Sequence, residues 1–115
     1  HEPINDDFKK VVFDDAIPGT IALECVFGLL CNNFTLEKTI DMLTRRKDVF
    51  EIEDCPIEIG SKADLTIFNP EVNYVFSENH ILSSSNNCAY LDKNLKGIVY
   101  GAINNNKATL NKLWT

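Results

Sequence analysis

The chain has 115 residues, 44% of them hydrophobic and 24% charged, a globular composition at the size of one domain or of a piece of a larger protein. No apolar run approaches the ~20 residues that cross a bilayer, no signal peptide is visible, and the chain begins at His1 rather than methionine, as a processed or excised cytoplasmic product would. A net charge of −6, with Arg45-Arg46-Lys47 as the only basic run, sets nucleic acid aside as a partner.

Residues 1–19 are polar and aperiodic, punctuated by Pro3, Pro18 and Gly19, and read as a long loop. From Thr20 to Asn32 the sequence is almost wholly apolar, and Glu24 is its only charge. A helix apolar on every face must be buried on every face, so this stretch is expected to pack against protein that the chain does not contain. Glu24 there reads as a packed, hydrogen-bonded carboxylate rather than a general acid.

Thr35 caps a second predicted helix, whose stripe Leu36, Ile40, Leu43 follows the i, i+4, i+7 spacing of a buried face. Thr44 opens a short third helix ending near Val49 and Phe50. After Asp54 the period changes to that of strands. Ala63 to Phe68 is one strand, stopped by Asn69-Pro70, and Val72 to Phe76 is a second. Residues 83–87 form a loop. Lys96 to Ile103 and Lys107 to Leu110 then flank Asn104-Asn105-Asn106, a hairpin whose asparagines tolerate positive φ.

Cysteines 25, 31, 55 and 88 show no C-x-x-C spacing and read as reduced thiols, with Cys25 and Cys31 as small buried hydrophobes. Only two histidines exist, His1 and His80, too few and too far apart for a catalytic zinc site, which typically takes about three protein ligands. His80 reads as a loop or surface residue.

Four stretches, in order, resemble the C-terminal third of the dihydroorotases, zinc-dependent cyclic amidases of the amidohydrolase superfamily. His1-Glu2-Pro3-Ile4 resembles the motif Asp-His-x-Pro-His without its Asp, and Asp6, Asp7, Lys9 and Phe13 follow it like the family's acidic loop. Pro18-Gly19-Thr20-Ile21-Ala22-Leu23-Glu24 is similar to the glycine turn that enters a helix. Ile57 to Pro70 is similar to the strand I-x-x-G-x-x-A-D-L. Ser83 to Tyr90 resembles Ser-Lys-Ser-x-Asn-Thr-Pro-Phe, with Ser84, Cys88 and Ala89 departing, and Leu95-Lys96-Gly97-Ile98-Val99 resembles L-x-G-x-V.

The resemblance implies an α/β fold: the active-site loop and last helices of a (β/α)₈ (TIM) barrel over residues 1–53, and strands of a small β-sandwich domain over 54–115. It implies interconversion of carbamoyl aspartate and dihydroorotate in pyrimidine biosynthesis, with zinc bound in the full-length protein and none bound by this segment. No catalytic residue and no metal ligand is assigned here. The substrate-contact positions fall on Pro18 and Gly19, through main-chain groups, and on Ile4, which stands where active members carry the histidine that binds the substrate carboxylate.

Three readings stay open: the end of a working dihydroorotase, the end of a non-catalytic homologue supporting aspartate carbamoyltransferase, and an independent β-rich binding module. The partners expected are the remainder of the barrel polypeptide, a second copy in a homodimer, and aspartate carbamoyltransferase, with no nucleic acid and no membrane.

Overall fold

The computed structural model describes residues 3–112. The leading loop carries two 3₁₀ turns, Asp6–Lys9 and Phe13–Asp15, before helices α1 (Val26–Asn33) and α2 (Leu36–Thr44) and a 3₁₀ turn at Asp48–Phe50. Strand β1 (Leu65–Val75), a 3₁₀ turn at Glu78–His80, and strands β2 (Asn94–Asn104) and β3 (Lys107–Leu110) follow. The strands form one antiparallel sheet in the order β1-β2-β3, and α1 lies against β2. The architecture is a mixed α/β one, with no strand before Asn33 among the described residues.

The apolar stretch from Thr20 yields a shorter helix than its composition predicts. The amide of Ile21 donates to the carbonyl of Asn87 at 2.9 Å, and the amide of Cys25 closes a turn on Ala22 at 3.2 Å. A backbone committed to a distant loop cannot run a helical ladder, so α1 begins only at Val26. The chain itself covers this stretch only in part. Ile21 and Cys25 are fully buried by the chain's own residues, and Phe27, Leu29 and Leu30 are half-buried, while Leu23 faces solvent. Gly28 makes the close fit to the sheet: a Cβ there would lie 2.9 Å from the Tyr74 hydroxyl and 3.0 Å from Leu95 Cβ.

Helix α2 starts as read, with the Thr35 hydroxyl accepting from the Lys38 amide at 3.3 Å. Its stripe does not end up buried. Leu36, Ile40 and Leu43 are 39%, 40% and 49% exposed, and the one buried residue of α2 is Thr39. The spacing gives a correct face, but the described residues leave that face uncovered. The hydroxyl of Thr44 donates back to the Ile40 carbonyl at 2.9 Å instead of capping a third helix, which shrinks to the turn at Asp48–Phe50.

The two strands expected on either side of Pro70 are one strand, β1. Asn69 pairs with Ile98 and Asn73 with Lys96, so Pro70, Glu71 and Val72 bulge opposite Gly97 alone. Proline lacks the N–H a regular ladder would need, and a bulge on an edge strand removes that demand. Gly97 answers the bulge with φ of 100°, a conformation open mainly to glycine. The β2–β3 hairpin is as read, with Asn105 and Asn106 at φ of 49° and 60°, the signs a two-residue type I′ turn requires.

The core forms where α1 meets the sheet: Cys25, Phe76 and Leu95 are buried together, with Ala22, Leu29, Tyr74 and Cys88 packed on them. The molecule around this core is extended. Its radius of gyration is 16.5 Å, against about 13 Å for a compact chain of this length. Its accessible surface is 8712 Å², against roughly 6,300 Å² for a folded monomer of this mass.

Candidate functional site

Two loops that are remote in sequence meet at one end of the fold, the leading loop before α1 and the loop between β1 and β2. The hydroxyl of Ser85, itself buried, donates to the Ile4 carbonyl and accepts from the Asn87 amide at 3.1 Å. The Asn87 side-chain amide donates to the Gly19 carbonyl at 2.7 Å, and the Asn87 carbonyl receives the Ile21 amide. Thr20 completes the fastening by accepting the Ala89 amide on its hydroxyl at 2.9 Å.

Lys9 closes the leading loop on itself. Its ammonium donates to the Gly19 carbonyl at 2.9 Å and also to the Ile17 carbonyl. Gly19 holds φ of 136°, which glycine adopts without steric cost. The peptide after Gly19 is trans, as is every other described peptide, so its carbonyl faces Lys9 and Asn87 while the Thr20 N–H is directed the opposite way. Beside this turn, Pro3, Asn5, Ser84, Ser85 and Asn86 line an open polar hollow of about 330 Å³.

The residues singled out in the sequence thus fall in one neighbourhood. Gly19, next to Pro18, and Ile4 are both tied to residues 85–87. Ile4 is 8% exposed, and its side chain is a buried aliphatic group with nothing to offer an anion. The fastening residues Ser85, Asn87, Thr20 and Lys9 were not predicted as such. Only the matches at Ser-x-Ser-x-Asn and at Lys9 signalled them, because the hydrogen bonds join positions dozens of residues apart.

Glu24 is the packed carboxylate expected. Its Oε1 accepts from the Ser83 amide at 3.0 Å and from the Ser83 hydroxyl. Burial alone would raise its pKa, but the Ser83 hydroxyl and the neighbouring amides outweigh that and hold it below 4.5. His80 serves the 3₁₀ turn that it ends: its Nδ1 accepts from the Ser77 amide at 3.0 Å, and its ring packs beside Tyr74 and Phe76. A nitrogen accepting from a backbone amide has no lone pair left for a metal. Burial pushes the neighbouring Tyr74 hydroxyl up to about 12, so it stays neutral at ordinary pH.

Among the described residues no three His, Cys, Asp or Glu side chains come together as a metal site. His1 lies outside the described residues. The described side chains do not assemble the three-ligand set that a catalytic zinc ion typically takes. No described helix is long and apolar enough to cross a membrane.

No family model matches the chain. Curated dihydroorotases match it over 93% of its length: that of Chlorobaculum tepidum at 31% identity over 114 residues, that of Caldicellulosiruptor saccharolyticus at 30% over 114, and that of Clostridium acetobutylicum at 32% over 117. The chain spans only about a quarter of these relatives, 26% or 27% of their length. A solved structure of D-hydantoinase is similar over 93% of the chain and 25% of its own length, with a TM-score of 0.70 at 20% identity, a likeness of fold. Sequence and fold agree, and the chain is related to the dihydroorotases as the counterpart of their C-terminal segment.

Proposed function

We propose that the chain is the closing segment of a dihydroorotase-like cyclic amidohydrolase, and that it gives that enzyme substrate-facing loop contacts rather than its reacting groups. One observation carries the reading: Ile4 and Gly19, the positions that the resemblance gives to substrate, are fastened to the same loop by Ser85 and Asn87. A loop of nearly 20 polar residues gains nothing from such fastening unless its backbone must be held in place. On this reading residues 1–53 belong with a barrel and 54–115 with a small β-sandwich domain. The remainder of the barrel polypeptide covers the exposed face of α2. Zinc, which the resemblance attaches to the whole enzyme, is held by residues outside this chain, and the site of action is the cytoplasm.

Ile4 favours a second reading. An aliphatic side chain in place of a histidine leaves a substrate carboxylate without its donor, and an unpaired buried carboxylate is costly. A non-catalytic homologue that supports aspartate carbamoyltransferase would tolerate that loss.

Assaying the purified chain with added zinc tests the common part: no turnover of dihydroorotate is expected, and measurable turnover overturns it. Joining the chain to its upstream sequence separates the readings. Dihydroorotase activity there selects the working enzyme, whereas inactivity relieved by Ile4→His selects the non-catalytic homologue.

A further inference from the structure

Two of the four thiols share one place in the core. Cys25, the residue that leads into α1, is fully buried, and its Sγ donates to the Ala22 carbonyl at 3.4 Å. Cys88, half-buried at the end of the Ser83–Asn87 loop, donates to the adjacent Ile21 carbonyl at 3.5 Å. The two side chains are packed in one cluster with Phe76 and Leu95, and their sulfurs donate to the carbonyls of the adjacent residues Ala22 and Ile21. All four cysteines are free thiols. Cys31 and Cys55 lie outside the cluster.

We propose that Cys25 and Cys88 are an oxidation site, a thiol pair that hydrogen peroxide converts into a disulfide joining the start of α1 to the loop that holds Gly19. Cys88 reacts first because it alone of the two has access to solvent. Its thiolate attacks one peroxide oxygen, the O–O bond breaks, and the sulfur becomes a sulfenic acid while hydroxide leaves and takes up the released proton as water. The Cys25 sulfur then attacks the sulfenic sulfur; its proton and the sulfenic OH leave as a second water. Two thiols lose two electrons, and one peroxide gains them.

Cys25 is fully buried, so peroxide in solution does not reach it, and it enters as the resolving partner of a sulfenic acid formed at Cys88. The crosslink would fix the segment that Asn87 already ties to Gly19 and Ile21. Cys88 stands where the resemblance has threonine, so the site belongs to this chain rather than to its relatives generally.

The test is to treat the folded chain with about one equivalent of hydrogen peroxide, block the remaining thiols, and map peptides without reduction. The expected result is a peptide pair linked through Cys25 and Cys88, lighter by two hydrogens, with Cys31 and Cys55 still blocked as thiols. The oxidised chain should melt higher by roughly 10 °C, and a dithiol should reverse the change. Cys88→Thr should abolish the linked pair and the shift while leaving the unoxidised melting point close to that of the parent. Finding Cys25 and Cys88 still free after Cys31 or Cys55 has been oxidised would overturn the proposal, as would a disulfide between any other two positions.

Discussion

The contacts of Glu24 with Ser83 give the protein a titratable hold between the turn that leads into α1 and the β1–β2 loop. Its folded pKa lies below 4.5, so the carboxylate contributes stability that is fully present above pH 4.5 and is lost as the pH falls through the folded value. Glu24→Gln should therefore be less stable than the parent near neutral pH, and the gap should narrow as the pH falls below the ordinary carboxylate range. Denaturant midpoints measured across that range check it, and a gap constant with pH would contradict the assignment. Ile4 raises a different matter at the same scale. It stands where the resemblance expects histidine, its side chain is buried, and its carbonyl accepts from the Ser85 hydroxyl.

Among the elements, α1 depends on Gly28 for its distance from the sheet. A methyl group there would press on the Tyr74 hydroxyl and Leu95, so Gly28→Ala should cost about 1–3 kcal/mol by overpacking, although alanine is the better helix former. A chemical melt of the variant decides between the two effects, and a gain in stability would mean that the helix moves freely off the sheet. At the start of α2, Thr35→Ala removes the acceptor of the Lys38 amide and should cost about 1 kcal/mol, measured the same way. The start of α2 and the asparagine turn were legible because their chemistry is local. The length of α1 was not, because the bond from Ile21 to Asn87 competes with the helix from the far side of the sequence. Pro70 misled for a similar reason. A strand can continue past a proline when it bulges there, and Gly97 on the partner strand accommodates the bulge.

For the whole molecule, the excess of exposed surface is the governing fact. The difference between 8712 Å² and the roughly 6,300 Å² expected for this mass is well above the roughly 800 Å² that one partner contributes to a standard protein interface. Much of the apolar part lies together: Ile40, Leu43, Ile57, Leu65 and Phe68 border an open groove of about 490 Å³ between α2 and the sheet. Purified alone, the chain should associate at micromolar concentration, visible as a sedimentation coefficient that rises with concentration. Ile40→Lys combined with Leu43→Lys should return it to monomer. A well-behaved monomer without those changes would mean that this face tolerates water.

The sequence alone determined the family relation, the switch from helical to strand periodicity, the N-cap at Thr35 and the asparagine hairpin. Each of these rests on neighbouring residues or on motif order. It also marked which faces are apolar. Which of those faces are covered was decided by tertiary structure: the stretch from Thr20 is covered in part by the chain's own sheet and loops, while the stripe of α2 is left open. The candidate site was decided there as well. The resemblance marks Ile4 and Gly19 as expected substrate-contact positions, but the hydrogen bonds from Ser85, Asn87 and Lys9 that hold them exist only once two remote loops meet. A residue's pattern reports its own preference for water or for a helix, whereas coverage and fastening depend on what the chain brings against it.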